Sequence, residues 1–396
     1  MGQGAKREIR TFKLFTVLFW FSNYIVTPYI TPYLQSLGAG NIVIGYVVSS
    51  YSIAQILVRV PLGIASDRMG RRKSFIVAGA VLTLVSVTGL WFTRSVAWVF
   101  VFRTLQGLAV TSWVCATVLF AGYLRPEEAV GATVQLQVCN SGGTLVGYLL
   151  GGLVAKRFGY GSVFLVAASG AALALAVSAR IAEAPPGERP LGTKALLRVG
   201  ASPFLLFVAG MAVFGQIILS ATTWGFTPQI ATSLGADATG IAACSMCFSV
   251  AGLLAALLVT RRLSGWLGEK RTLVLAMALE AVFCIAQPYN PALGTLYVNC
   301  FLNGLVHNTS YSLLLGLAIE LFPERMRAAA MGWHQAIYAL GLLIGPVVAG
   351  YFSELYDLKT AFLVIGLLGL AGAALAQLFY ARARGATLRQ MEKETR

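Results

Sequence analysis

The sequence predicts an all-α integral membrane protein, with twelve transmembrane helices in two pseudo-symmetric six-helix bundles. Three observations predict it. First, only 11% of the 396 residues are charged and 57% are hydrophobic, with a mean hydropathy of +0.75. A soluble domain uses roughly a quarter of its residues as Asp, Glu, Lys or Arg to cover its surface. Second, the apolar residues fall into runs of about 20, the length at which a helix matches a ~30 Å hydrocarbon core. Third, the basic residues gather in alternate gaps between those runs, as they do when they fix the orientation of a chain across a bilayer.

The first run follows a basic N-terminus, MGQGAKREIRTFK. It is long, carries aromatics and leads into Pro28 and Pro32 without a small-residue cleavage site, so it reads as a retained helix and not a signal peptide. Twelve spans are expected near 12–31, 42–64, 74–92, 97–120, 130–153, 162–179, 202–223, 239–260, 271–288, 292–319, 328–351 and 361–380. With both termini in the cytoplasm, 24 Lys and Arg fall on the cytoplasmic side. Only Arg94, Lys156, Arg157 and Lys359 fall outside, and Arg59 and Arg103 lie within spans. Adding or dropping one span would scramble that split, so the chain is expected in the inner (cytoplasmic) membrane of a cell with both ends inside. The net charge of +15 is dispersed among loops and forms no patch or stripe for nucleic acid.

The segment RIAEAPPGERPLGTKALLRVG holds three prolines among charges and glycines. It divides residues 1–180, a first bundle, from 201–396, a second bundle with a short tail, and leaves 181–200 as a cytoplasmic linker. The halves echo each other. RPEEAVGATVQ leading to GGTLVGYLLGG pairs with FPERMRAAAMGWHQ leading to LGLLIGPVVAG, and GIASDRMGRRK has a weaker counterpart in GWLGEKR. Duplicated halves suit a protein that rocks around a central site.

All six cysteines lie in apolar stretches. Cys244 and Cys247 have C-x-x-C spacing, but no metal ligands neighbour them, and they read as small core residues. No metal cluster, nucleotide loop or room for an ATP-binding domain is visible, so neither an enzyme nor a cofactor is expected.

Residues 59–73 read RVPLGIASDRMGRRK. Gly63 allows close helix approach, Gly70 a tight turn, and Asp67 is a lone acid among Arg68, Arg71, Arg72 and Lys73. It pairs with one of them or caps the positive end of another helix. The pattern G-x-x-x-D-R-x-G-R-R resembles the signature between the second and third helices of the major facilitator superfamily. Arg103-Thr104-Leu105-Gln106-Gly107 is similar to that family's R-x-x-Q-G signature in the fourth helix. The resemblance extends over nearly the whole chain and implies the major facilitator fold. It also implies that Gly63, Asp67, Arg68, Gly70, Arg71 and Arg72 form a conformational latch, with Asp67 reaching helix eleven. In the second half Glu269 stands where the acid would be and the following glycine is lost, so the second latch looks degenerate.

An ionised arginine in hydrocarbon must pair, face a cavity or snorkel. Arg103 lies too deep for a loop residue and is a candidate for cargo binding or proton coupling, or a structural tie. Arg59, nearer the cytoplasmic surface, snorkels or joins the latch. The family's cavity is lined by helices one, four, seven and ten, whose polar candidates here are Asn23, Arg103, Gln106, Gln216, Asn299, Asn303 and His307. Asn303 and His307 lie four apart and share a face. His307 either carries a proton or is a neutral core residue. Trp20, Tyr24, Tyr29 and Tyr33 stack on cargo or anchor the first helix. The cavity helices carry no central Asp or Glu. Glu280 is the sole mid-span carboxylate, in a helix expected at the periphery, and this weighs against a carrier of organic cations.

The glycines Gly143, Gly147 and Gly151 make a stripe on which a helix can lie. The stripe resembles the exporter signature of helix five, except that Tyr148 replaces its proline; the Gly-Pro pair appears instead as Gly345-Pro346, with Gly341 one turn earlier. These features point to a secondary transporter exporting small hydrophobic or amphiphilic solutes against protons. The alternatives are an uptake permease for sugars or other metabolites, and a membrane sensor or scaffold without flux. The expected partners are a small-molecule substrate, a coupling proton and membrane lipid, and the chain is expected to function as a monomer.

Overall fold

The structure is a computed structural model and describes residues 3–124, 129–183 and 198–395. Backbone polar groups in a bilayer must be satisfied within their own segment, and among the described residues every regular element is helical. Twelve long helical segments follow in order. α1 is Gln3–Tyr24 continued by Ile30–Ser36, α2 Asn41–Met69, α3 Arg72–Phe92, α4 Val96–Thr111 continued by Trp113–Ala121, α5 Ala129–Phe158 and α6 Tyr160–Ser178. In the second half α7 is Pro203–Ala221 continued to Ser233, α8 Ala238–Leu254 continued to Leu267, α9 Glu269–Ala286, α10 Leu293–Glu320, α11 Glu324–Leu355 and α12 Leu358–Thr395. The expected linker and the Pro-Glu turn at 125–128 fall largely outside the described residues.

Besides the break of α4 at Ser112, three segments are interrupted by a change of helix type. In α1 a single 3-10 turn, Thr27–Tyr29, carries Pro28, which has no N–H to continue the ladder. In α7, Thr222–Phe226 widens to a π-turn just before Pro228, and the Thr227 N–H donates to the Thr222 carbonyl. A second π-turn, Ala255–Val259, lies in α8, and the Thr260 hydroxyl also donates to the Ala255 carbonyl, at 2.9 Å. Such widened turns recur at functional positions.

Eleven of the described helical segments are long and apolar enough to cross a membrane. α10 is the exception, although it has 28 residues. Its middle carries Asn299, Asn303, His307 and Asn308, and Asn299, Asn303 and His307 are buried. A helix with that composition is shielded from lipid by its neighbours.

The chain divides into two compact units. One comprises Met1–Gly40, Tyr46–Pro190 and Ala231–Met246; the other comprises Asn41–Gly45, Leu191–Ile230 and Cys247–Arg396. Within the first, Lys156 Nζ binds Asp237 Oδ2 at 2.8 Å. Hydrogen bonds from Lys156, Thr239 and the Gly240 amide hold the Asp237 carboxyl well below the usual carboxylate range, so the contact persists above that range and is lost only as pH falls through the depressed value. Within the second, the Ile42 N–H donates to Glu354 Oε2 at 2.7 Å and Gln229 Nε2 to Asn41 Oδ1 at 2.8 Å.

The repeat suggested by the sequence is visible in how helices touch. In the first unit α5 lies on α1: a β-carbon at Gly143 would overlap the Val17 carbonyl, one at Gly147 would meet Ile25 at 3.3 Å, and one at Gly151 would meet the Tyr29 ring at 2.7 Å. In the second, α11 lies on α7 in the same way, with Gly341 against the Val213 carbonyl and Gly345 against that of Ile217. Pro346, the next residue, presents its carbonyl to Gly45. Gly107 on α4 meets the Tyr51 carbonyl of α2, and Gly304 on α10 meets that of Phe248 on α8. Small residues let membrane helices approach to backbone contact, and here the same seams recur in each half.

Gly63 is not such a contact, since a β-carbon there would meet Val114 Cγ1 at an ordinary 3.7 Å. Gly70 does make the expected turn, ending α2 at φ 60° with its N–H on the Ser66 carbonyl at 3.0 Å.

These seams make a specific expectation. Gly143→Ala should lower the thermal midpoint of the purified protein, at a cost of about 1–3 kcal/mol from overpacking. At its neighbour Gly142 an added β-carbon would find no atom within 4 Å, so Gly142→Ala should leave the midpoint unchanged or raise it.

Candidate functional site

Each unit buries a cluster of polar side chains drawn from several helices. In the first, Arg103 and Gln106 sit one turn apart on α4. The Gly107 seam draws α4 onto α2, so the guanidinium lies over the Tyr51 ring at 4.9 Å. Arg103 Nη1 donates to Gln106 Oε1 at 2.5 Å, and Gln106 Nε2 donates to the Asn23 carbonyl of α1 at 3.1 Å. Asn23 Nδ2 donates to the Phe19 carbonyl at 2.8 Å and to Thr83 Oγ1 of α3 at 3.3 Å. Arg103 is 2% exposed.

Among the described residues no carboxylate pairs with Arg103, and its Nε and Asn23 Oδ1 have no hydrogen-bond partner. The ring face of Tyr51 and the amide of Gln106 stabilise the cation, a cation–π contact contributing about 2 kcal/mol when desolvated. They leave its charge uncompensated. Beside this cluster Trp20 stacks on Tyr24 at 5.2 Å and meets Trp113 edge-on at 5.1 Å.

Tyr29 and Tyr33 belong to the packing: both are buried, with hydroxyls on the Tyr148 and Thr93 carbonyls at 3.3 and 2.7 Å. Arg59 is packed into the protein. It is 4% exposed, and neither Nε nor Nη1 has a hydrogen-bond partner among the described residues.

In the second unit His307 Nδ1 lies 2.8 Å from Glu280 Oε1, and Ser310 Oγ donates to Glu280 Oε2 at 3.4 Å. Glu280 is 1% and His307 3% exposed. The sequence places Glu280 on a peripheral helix; the structure turns it inward onto α10, where it meets one of the candidate residues. Asn299 Nδ2 donates to the Phe283 carbonyl of α9 at 3.2 Å. Asn303 is buried with Nδ2 unpartnered among the described residues. Gln216 packs its β-carbon towards Gly341 of α11.

The α2–α3 turn is tied down by an acid that no motif in the sequence singles out. Glu183, five residues past α6, accepts the Arg72 N–H at 3.0 Å and the Lys73 N–H at 2.9 Å, so a carboxylate caps the positive end of α3. Arg71 is the residue at the N-cap of α3. The side chains of Asp67 and Arg68 lie outside the described residues.

In the second half Glu269 is engaged. Arg384 of α12 binds Glu269 Oε2 at 2.7 Å and Glu320 Oε1 at 2.6 Å, and the Tyr380 hydroxyl donates to Glu269 at 2.9 Å. One guanidinium thus joins the start of α9 and the end of α10 to α12. Arg384→Ala should lower thermal stability by about 1 kcal/mol, the upper end for partly exposed pairs, and Glu320→Gln by less. Equal midpoints for wild type and Arg384→Ala would show that the cluster does not hold these helix ends.

Comparison with known proteins places this architecture. The chain matches the Major Facilitator Superfamily over residues 14–227 and again over 209–395. It is 27% identical over 366 residues to the multi-drug resistance efflux pump PmrA of Streptococcus pneumoniae, covering 84% of this chain and 89% of that protein. Among solved structures it resembles a mutant of the nucleoside transporter NupG (TM-score 0.78, 14% identity, 94% of this chain and 98% of that one). It also resembles a D-xylose-proton symporter (TM-score 0.77, 16% identity, 94% and 97%). With twelve long helical segments among the described residues and a family match spanning residues 14–395, the chain belongs to the major facilitator superfamily of membrane transporters.

Proposed function

We propose that this transporter exports small hydrophobic or amphiphilic solutes from the cytoplasm in exchange for protons. It works as a monomer by alternating access of its two halves, residues 1–180 and 201–396. The observation that carries the reading is Arg103: a guanidinium 2% exposed, with Tyr51 and Gln106 as neighbours and no carboxylate partner among the described residues. An uncompensated charge in a low-dielectric interior costs several kcal/mol and does nothing for folding that a leucine would not do better. It suits a site that receives an acceptor group from cargo. Asn23 Oδ1 and the Trp20–Tyr24–Trp113 cluster add a polar acceptor and flat apolar faces beside it.

Cargo that is neutral, zwitterionic or anionic fits this environment better than a cation does. Similarity to the multi-drug resistance efflux pump PmrA supports efflux, as does the glycine stripe of α5. Uptake is a second reading, favoured by Tyr148 standing where the exporter pattern has proline. The split of 24 to 4 basic residues supports a chain with both ends in the cytoplasm. In that orientation Asp67 and the α2–α3 turn act as a latch at the cytoplasmic face.

Everted membrane vesicles with an imposed acid-inside pH gradient test this, with ethidium and salicylate as a cationic and an anionic probe. Export predicts accumulation of salicylate inside everted vesicles; accumulation only in right-side-out vesicles would establish uptake instead. Arg103→Ala should raise the half-saturating salicylate concentration at least tenfold at equal protein insertion. An unchanged value and pH dependence would reduce Arg103 to a structural tie. Asp67→Asn should slow flux, and normal flux would remove the latch.

A further inference from the structure

The protonatable groups of the second unit are more organised than export alone requires. Glu280 and His307 belong to α9 and α10, each near the middle of its helix, and their side chains meet at 2.8 Å with 1% and 4% of their surfaces exposed. The Ser310 hydroxyl, which donates to the His307 carbonyl at 2.8 Å, lies 3.4 Å from the second carboxylate oxygen. The neighbours are otherwise poor in charge. From α8, Phe248 packs on the imidazole at 5.5 Å. From α10, Tyr311 stacks on it at 6.0 Å, with 9° between the planes. Through Tyr311 the row continues to Tyr338 and His334 of α11, at 6.0 and 5.6 Å. Cys284, one turn along α9, is buried as a thiol. From α12, Gly366 and Gly369 press on Ala281 and Ile285 of α9. Among the described residues no lysine or arginine pairs with Glu280.

From α7, Gly215 faces the pair. A β-carbon on it would stop 3.7 Å from both carboxylate oxygens and 3.8 Å from His307 Cε1, so any larger side chain would sit on the pair. Gly215 thus brings the α7 backbone close to the pair, on a helix that widens into a π-turn seven residues later. The tenth helix also gives up the apolarity of the other eleven to hold this site.

We propose that the Glu280–His307 pair is the site that carries the exchanged proton; this rests on the proton-coupled reading above. With one proton between them the two groups are neutral overall, as carboxylate with imidazolium or as carboxylic acid with imidazole. Losing that proton leaves a net negative charge in hydrocarbon surroundings, which is costly unless water or another charge reaches it. Loading forms one N–H or O–H bond at the pair from a proton on the acidic side. Release breaks that bond and returns the proton to water on the other side, with cargo moving in the opposite direction.

Infrared difference spectroscopy tests the proposal without knowledge of the cargo. Full-length protein in phosphatidylethanolamine–phosphatidylglycerol vesicles is cycled between pH 5.5 and 8.5. Wild type should show paired carboxyl and imidazole bands; both should vanish in Glu280→Gln, and the carboxyl band should shift in His307→Asn. A wild type lacking these bands overturns the proposal. So do bands that survive in both variants, which would assign the titration to another group such as His334.

Salicylate flux separates this from the underlying reading. Glu280→Gln should keep gradient-independent exchange of labelled salicylate and lose gradient-driven accumulation at least tenfold. If wild type and Glu280→Gln accumulate salicylate equally on the gradient, the assignment of the proton to this pair falls and proton-coupled export stands. If wild type moves salicylate with no response to the gradient, proton coupling itself falls, and this assignment with it.

Discussion

Water is missing from the middle of this protein's environment, and most of its architecture answers that fact. A peptide group without water must find its partner in the same helix, which is why the described elements are helices and why their interruptions coincide with prolines or with extra hydrogen bonds from side chains. The same absence makes every buried polar side chain expensive. Several of those that persist are gathered into two small clusters, one in each unit and each tied to more than one helix. The Arg103 cluster draws on α1, α2, α3 and α4, and the Glu280 cluster on α9 and α10, with α7 and α8 packed against them.

The two clusters differ in how their charge is balanced. Arg103 has an amide and a ring face and is left with an excess positive charge. Glu280 and His307 satisfy each other. An excess charge invites a ligand, whereas a matched pair invites a proton, because a single proton moves the pair between neutral and charged. The halves share their packing seams, at Gly143 and Gly341, Gly147 and Gly345, and Gly107 and Gly304, but place different chemistry on that common frame. The duplicated scaffold carries shape, and the divergent residues carry function.

Much of the frame was legible because its signals are local. Runs of apolar residues mark the spans, and Gly70 marks the turn it makes. Arg103 and Gln106 lie three residues apart on one helix, so their meeting follows from helical periodicity. What stayed hidden is what depends on contacts between distant segments. Glu280 and His307 are separated by 27 residues, and no periodicity reveals that α9 turns its carboxylate towards α10. Glu183 caps α3 from more than 100 residues away. Glu269 looked like the remnant of a lost motif because its partner, Arg384, lies on a helix at the other end of the sequence. The break in α1 was signposted by Pro28, but the π-turn of α8 has no proline within it, and its sequence, AALLV, gives no warning.

The glycine seams have a mechanical consequence. Where helices interlock by side chains, each knob must leave its hole before one helix can travel past the other. Where Gly143 and Gly147 rest on α1, and Gly341 and Gly345 on α7, the glycines present bare backbone to facing carbonyls and to short side-chain atoms such as Ile25 Cβ and Ser220 Oγ, held by dispersion and by weak contacts between glycine carbons and carbonyl oxygens. Such a seam behaves as a rail. It resists separation strongly and lengthwise slippage weakly, so thermal energy can move the paired helices along each other without dismantling the contact that keeps them together.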